Sequence, residues 1–212
     1  MVQTLKASKV NLGDLREQFG LTLSNDPLFF PEWQSALGSK DVITAAEHEA
    51  LKRVKSNFQN LVEAPPLLEG AVKMVVLSPL LDLAGFYQPP FRIKTEATIS
   101  ISSPDEEEGV LIKGEIDVLV IMEALWMLVI ESKMSDFSLL KAFPQALSYM
   151  MASSKAITFG LITNGNDFIF LKLDRERTPQ YATSRVFSLL TPGHELIEVL
   201  QILKHLGHRI AN

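Results

Sequence analysis

Asp117, Glu131 and Lys133 are ionisable residues set in or beside the most apolar part of the chain, and their spacing defines a chemical problem. Alternate residues of a strand point to one face. On a strand over 111–122, Lys113, Glu115 and Asp117 are expected to face one way, and Ile116, Val118 and Val120 the other. On a strand over 125–133, Glu131 shares a face with Lys133. Only Glu123 and Ala124 separate the two runs, so they read as a tight antiparallel hairpin that lays Asp117 beside Glu131. Adjacent buried carboxylates repel each other and lose hydration, which is costly unless positive charge joins them. A divalent ion, Mg²⁺ or Mn²⁺, suits such an oxygen-rich site. A structural ion pair of Lys133 with Glu131 or Asp117 would serve as well.

The elements that must position these groups can be read from punctuation and period. Thr44 followed three residues later by Glu47 is a capping box. Behind it Leu51, Val54, Phe58 and Leu61 recur at helical spacing to about Glu63. Pro65 and Pro66 stop that helix, and a second one starts near Leu67 carrying Glu69, with Pro79 expected to kink or restart it and Ser78 to cap the restart. A strand over 97–102 precedes the hairpin, and the acidic loop 104–109 reads as a solvated turn. A helix over 138–153 follows, then strands 157–163 and 167–173 around Asn164-Gly165, both expected to tolerate positive φ. Leu196, Val199, Leu200 and Leu203 mark one face of a last helix over 192–209. Residues 1–40 read only as a short helical or irregular arm. Helix, three strands, helix and two strands imply a mixed sheet covered on both faces, with a right-handed crossover through 138–153.

Composition excludes more than it selects. With 212 residues, 47% apolar and 21% charged, the chain can bury a full core and is not a disordered one. It has no cysteine, so a disulfide framework and a Cys-ligated zinc site are both ruled out. The first residues lack the apolar segment of a signal peptide, and a cytoplasmic location is expected. The longest apolar run, 118–130, contains Glu123 and is far short of the roughly 20 residues of a spanning helix, so no membrane role follows. The net charge of −5 weighs against a strong non-specific hold on phosphates. Lys52, Arg53 and Lys55, and likewise Arg175 and Arg177, read as small solvated patches. His194-Glu195 lacks the second histidine of a zincin helix, and no Gly-rich phosphate loop is present. His205 and His208 read as solvated histidines.

Asp117 with the strand Trp126-Met-Leu-Val-Ile-Glu131-Ser-Lys133 resembles the PD-(D/E)XK nuclease signature, an Asp and a Glu-x-Lys on neighbouring strands. The run from Glu69 to Phe86 resembles the helix that opens the nuclease domain of type I restriction R subunits. Gln145 and Tyr149 match a Gln-x-x-x-Tyr motif of those subunits and of recombination-helicase exonuclease domains. The resemblance covers about residues 69–172. It departs from the pattern at Ile116, where the signature has proline, and at Glu115, which could compete for a metal.

The resemblance implies a restriction-endonuclease-like α/β domain over 64–212, joined in one compact unit by a helical arm over 1–63. It implies that Asp117, Glu131, the backbone carbonyl of Ser132 and Glu69 would hold Mg²⁺ or Mn²⁺, and that Lys133 would sit beside the attacking water and the phosphate. Gln145 and Tyr149 would brace the site and touch the substrate backbone, whereas on their own they read as a surface residue and core packing. The implied partner is nucleic acid, DNA in the first place, with room for a homodimer or a partner subunit of a restriction-like system. The competing expectation is a non-catalytic binding or assembly module on the same fold.

Overall fold

The computed structural model describes residues 3–38, 43–63, 68–103, 109–122, 125–132 and 138–211, with backbone alone for Gln3, 125–132 and 209–211. Among them a nine-stranded sheet forms the middle layer. Its strands are β1 (Gln3–Lys6), β2 (Thr22–Leu23), β3 (Phe91–Ser102), β4 (Val110–Met122), β5 (Leu125–Ser132), β6 (Ile157–Thr163), β7 (Asp167–Asp174), β8 (Gln180–Thr183) and β9 (Phe187–Ser188). The order is β1-β4-β5-β6-β7-β8-β2, with β3 also paired to β4 and β9 to β7. β4 and β5 are antiparallel, as the hairpin reading requires, and β5 runs parallel to β6. The Glu123-Ala124 turn lies outside the described residues.

One face packs against α2 (Pro31–Gly38), α3 (Ala45–Val62), α4 (Glu69–Val72), α5 (Ser78–Leu83) and α7 (Glu195–Ala211). The other carries α1 (Leu12–Phe19) and α6 (Phe143–Met151), the latter entered through a 3₁₀ turn at Leu139–Ala142. β7 feeds both cores by strict alternation: Phe168 and Phe170 face the first, Ile169, Leu171 and Leu173 the second. This is the mixed sheet covered on both faces that the restriction-endonuclease-like expectation called for. No helix among the described residues is long and apolar enough to cross a membrane.

Several local readings hold in detail. Thr44 Oγ1 accepts from the Glu47 backbone N–H at 3.2 Å and the Glu47 carboxylate accepts from the Thr44 N–H at 2.7 Å, so the box caps α3. Leu51, Val54 and Phe58 are buried along its inner face, and Leu196, Val199, Leu200 and Leu203 along that of α7.

Other readings need correction. Residues 3–38 are more than a helical or irregular arm: β1 pairs with β4 and β2 with β8, both in parallel. Strands of four and two residues are too short to show a period. Pro79 does not restart the helix, and Ser78 does not cap it. A π-helical turn, Lys73–Leu77, joins α4 to α5, with the Ser78 N–H bonded five residues back to the Lys73 carbonyl. The wider turn accommodates a residue that has no N–H to give and a ring that crowds the preceding turn. The Ser78 hydroxyl instead meets that of Tyr87 at 2.8 Å. At the β6–β7 turn Asn164 pairs with Asp167, so the turn residues are Gly165 and Asn166. Only Gly165 has positive φ, 88°, which is the glycine-first pattern of a type II′ turn. Arg175 is no solvated patch. Its guanidinium donates to the carbonyls of Met151, Ser153 and Lys155 and closes the end of α6.

The strict alternation expected along β4 also fails, at Asp117. Ile112 and Ile116 lie in the core with α6, but Val118 and Val120 lie in the core on the opposite face. β3 changes phase alongside: Ile93 packs on the first core, Ile99 and Ile101 on the second. The change falls where Glu96 and Asp117 stand between the pairs Thr95–Val118 and Ala97–Ile116, and Glu96 adopts a left-handed φ of 52°. A non-glycine residue there costs about 1–2 kcal/mol. Glu96→Gly is therefore expected to raise Tm by about 2–4 °C in a chain of this size, as read by thermal unfolding. A fall would mean that the Glu96 side chain itself holds the bend.

Candidate active site

β4 changes partner along one edge, and the site lies at that change. Up to Lys113 the edge pairs with β1; from Val118 onward it pairs with β5. β5 meanwhile stays with β6 through Glu131, opposite Ile162, and Ser132, opposite Thr163. Val118 faces Ile130, so Asp117 and Glu131 are the next residues on each strand beyond that pair, where the two strands part. The side chain of Glu131 and the whole of Lys133 lie outside the described residues.

Glu69 opens α4, and the helix brings it to Asp117 through a residue that the sequence reading overlooked. Lys73 Nζ sits 2.7 Å from Glu69 Oε1 and 3.0 Å from Asp117 Oδ1. Glu69 and Lys73 are i and i+4, the favourable order for a helical pair, and that spacing was the available signal. Burial works against the charge on Lys73, but hydrogen bonds to Glu69 and Asp117 outweigh it and hold the ammonium above the ordinary lysine range. The group is therefore charged throughout the neutral range.

Asp117, Val118 and Lys73 line a cleft of about 530 Å³ with Thr95, Glu96, Ser78 and Tyr87. That Asp117 and its neighbour Val118 both reach it is a consequence of the phase change. Glu115 opens elsewhere, into a cleft of about 440 Å³ shared with Lys6, Ser8, Thr98, Lys113, Gln145 and Tyr149. Glu115 and Asp117 therefore line different clefts, although both flank Ile116, which faces the α6 core.

Gln145 and Tyr149 do share a face of α6, and Gln145 Nε2 donates to the Tyr149 hydroxyl at 2.8 Å. Tyr149 is buried, and a Cβ on Gly114 would stand 2.7 Å from its ring and 2.9 Å from its hydroxyl. Glycine at 114 is what lets this ring reach the open edge of β4. Gln145 and Tyr149 thus line the cleft that holds Glu115 and not the one that holds Asp117 and Lys73.

Whether a divalent ion suits these residues can be judged from what they already hold. Two carboxylate oxygens converge on one cation, the Lys73 ammonium, and such hard oxygen donors suit Mg²⁺ or Mn²⁺. Glu69 and Asp117 supply two donors; no cluster of three potential ligand side chains occurs among the described residues. Glu131 and the Ser132 carbonyl are the further donors that the resemblance implies.

The sequence matches no protein-family model and no curated protein. Among solved structures the chain is similar to a fragment described as an HsdR subunit of a type I restriction enzyme from Vibrio vulnificus YJ016, at 19% identity and a TM-score of 0.40. The similarity covers 56% of this chain and only 23% of the other.

Proposed function

We propose that the chain is a Mg²⁺-dependent nuclease that hydrolyses phosphodiester bonds, with DNA as its substrate, acting alone or as one component of a restriction or defence system. The observation that carries the reading is the convergence of Glu69 and Asp117 on a single cation where β4 and β5 part. Asp117, Glu69, Glu131 and the Ser132 carbonyl would hold the ion. Bound there, Mg²⁺ supplies charge neutralisation at the phosphate and activation of water. Lys133 follows Glu131 by two residues and would orient the water or meet the growing charge as a compact donor. Gln145 and Tyr149, in the cleft that Glu115 lines, would steady the backbone of the substrate.

A second reading, a non-catalytic binding or assembly module, is favoured by Lys73, which already balances the carboxylates without a metal. The net charge of −5 points the same way. Cleavage assays on linear, supercoiled and single-stranded DNA with Mg²⁺ and with Mn²⁺ separate the two. Lys133→Ala should cut on the order of a hundredfold more slowly while binding metal as before, since its task lies in the transition state. Wild-type protein that cuts none of these substrates, yet binds a partner equally well with and without Lys133, would establish the module.

A further inference from the structure

We infer that Lys73 is the internal counter-ion of this site: it holds Glu69 and Asp117 together while no metal is bound and yields its place when a divalent ion enters. The inference rests on the proposed metal site and adds a residue that the nuclease signature does not contain. Both oxygens in contact with the ammonium, Glu69 Oε1 and Asp117 Oδ1, belong to proposed metal ligands. An ammonium donates hydrogen bonds and cannot itself ligate a cation. Lys73 and a divalent ion would thus compete for the same oxygens and repel each other across the same gap.

The geometry also gives Lys73 somewhere to go. Its side chain keeps 30% of its exposure and lines the 530 Å³ cleft, so a rotation of its flexible stem carries the charge outward. Glu96 borders the same cleft and is exposed, which leaves the withdrawn ammonium a carboxylate neighbour. Lys73 also begins the π-helical turn, so the stem leaves a backbone already wider than an α-helix.

The test is a Mn²⁺ titration of the full chain, wild type against Lys73→Met and Lys73→Gln, followed by calorimetry and by thermal unfolding with and without the ion. Without metal, both variants should melt a few degrees lower, because two carboxylates lose their shared partner. They should bind Mn²⁺ on the order of tenfold more tightly, the usual scale of a coupling between two sites. Their metal-induced rise in Tm should exceed that of the wild type. Mn²⁺ affinity that is unchanged or weaker in both variants, with binding intact in the wild type, overturns the inference and leaves the metal site standing. Absence of Mn²⁺ binding in wild type and variants alike removes the metal reading itself, and this inference with it.

Discussion

On the proposed nuclease reading, Asp117→Asn is expected to lower DNA cleavage by about a thousandfold, the upper end of what one electrostatic group contributes at a reacting centre. Asparagine keeps the size of the side chain but removes the charge that a cation needs. In wild type, the proposed ion at a hundred times its dissociation constant would add about 2.7 kcal/mol of stability, or roughly 5–10 °C in Tm for a chain of this size. That gain should vanish in the variant. Stability without metal should move by no more than about 1 kcal/mol, because Lys73 retains Glu69 and the cluster is partly open to water. Thermal unfolding over a Mg²⁺ or Mn²⁺ series reads both quantities. A variant with the full metal-dependent rise would place the ion away from Asp117 and sink the proposed site.

Glu32→Ala should destabilise the protein by about 3–5 kcal/mol, with a fall of roughly 10 °C in Tm. Glu32 on α2 is 2% exposed and its Oε1 lies 2.8 Å from Nζ of Lys172 on β7. Lys172 also stands 5.6 Å from the centre of the Phe29 ring. Truncating the acid strands a buried ammonium in an apolar layer, and that loss exceeds what the pair itself contributes. Replacing both partners, as in Glu32→Met with Lys172→Met, should recover most of the stability. A single variant within 1 kcal/mol of wild type would show that water reaches the pair.

The parts of the fold that were legible in the sequence are those with local signals. The Thr44 capping box, the period of α3 and α7, and the β-branched runs of β4 and β5 all report on neighbours within a few residues. The closeness of Glu69 and Asp117 was legible only through the resemblance, since it runs through Lys73, which lies 44 residues from Asp117. The phase change was not legible, because Ile116, Val118 and Leu119 are equally apolar and each finds a core on whichever face it meets. Nor was the Glu32–Lys172 pair, whose members are 140 residues apart. Val118 and Val120 were misplaced by the phase change: an alternation rule extended through a bend assigns every residue beyond it to the wrong face.

The pairing of β1 and β2 has a consequence for the order of events during synthesis. Gln3 waits for Val110, and Thr22 waits for Gln180. At about 5–20 residues per second, a ribosome needs on the order of ten seconds to deliver those partners. Until then the first strands of the chain have no edge to join, and the closure of such distant pairs slows folding as a whole. β1 and β2 therefore settle only after β4 and β8 have been made, and until then their backbone groups stand unpaired where a chaperone would find them.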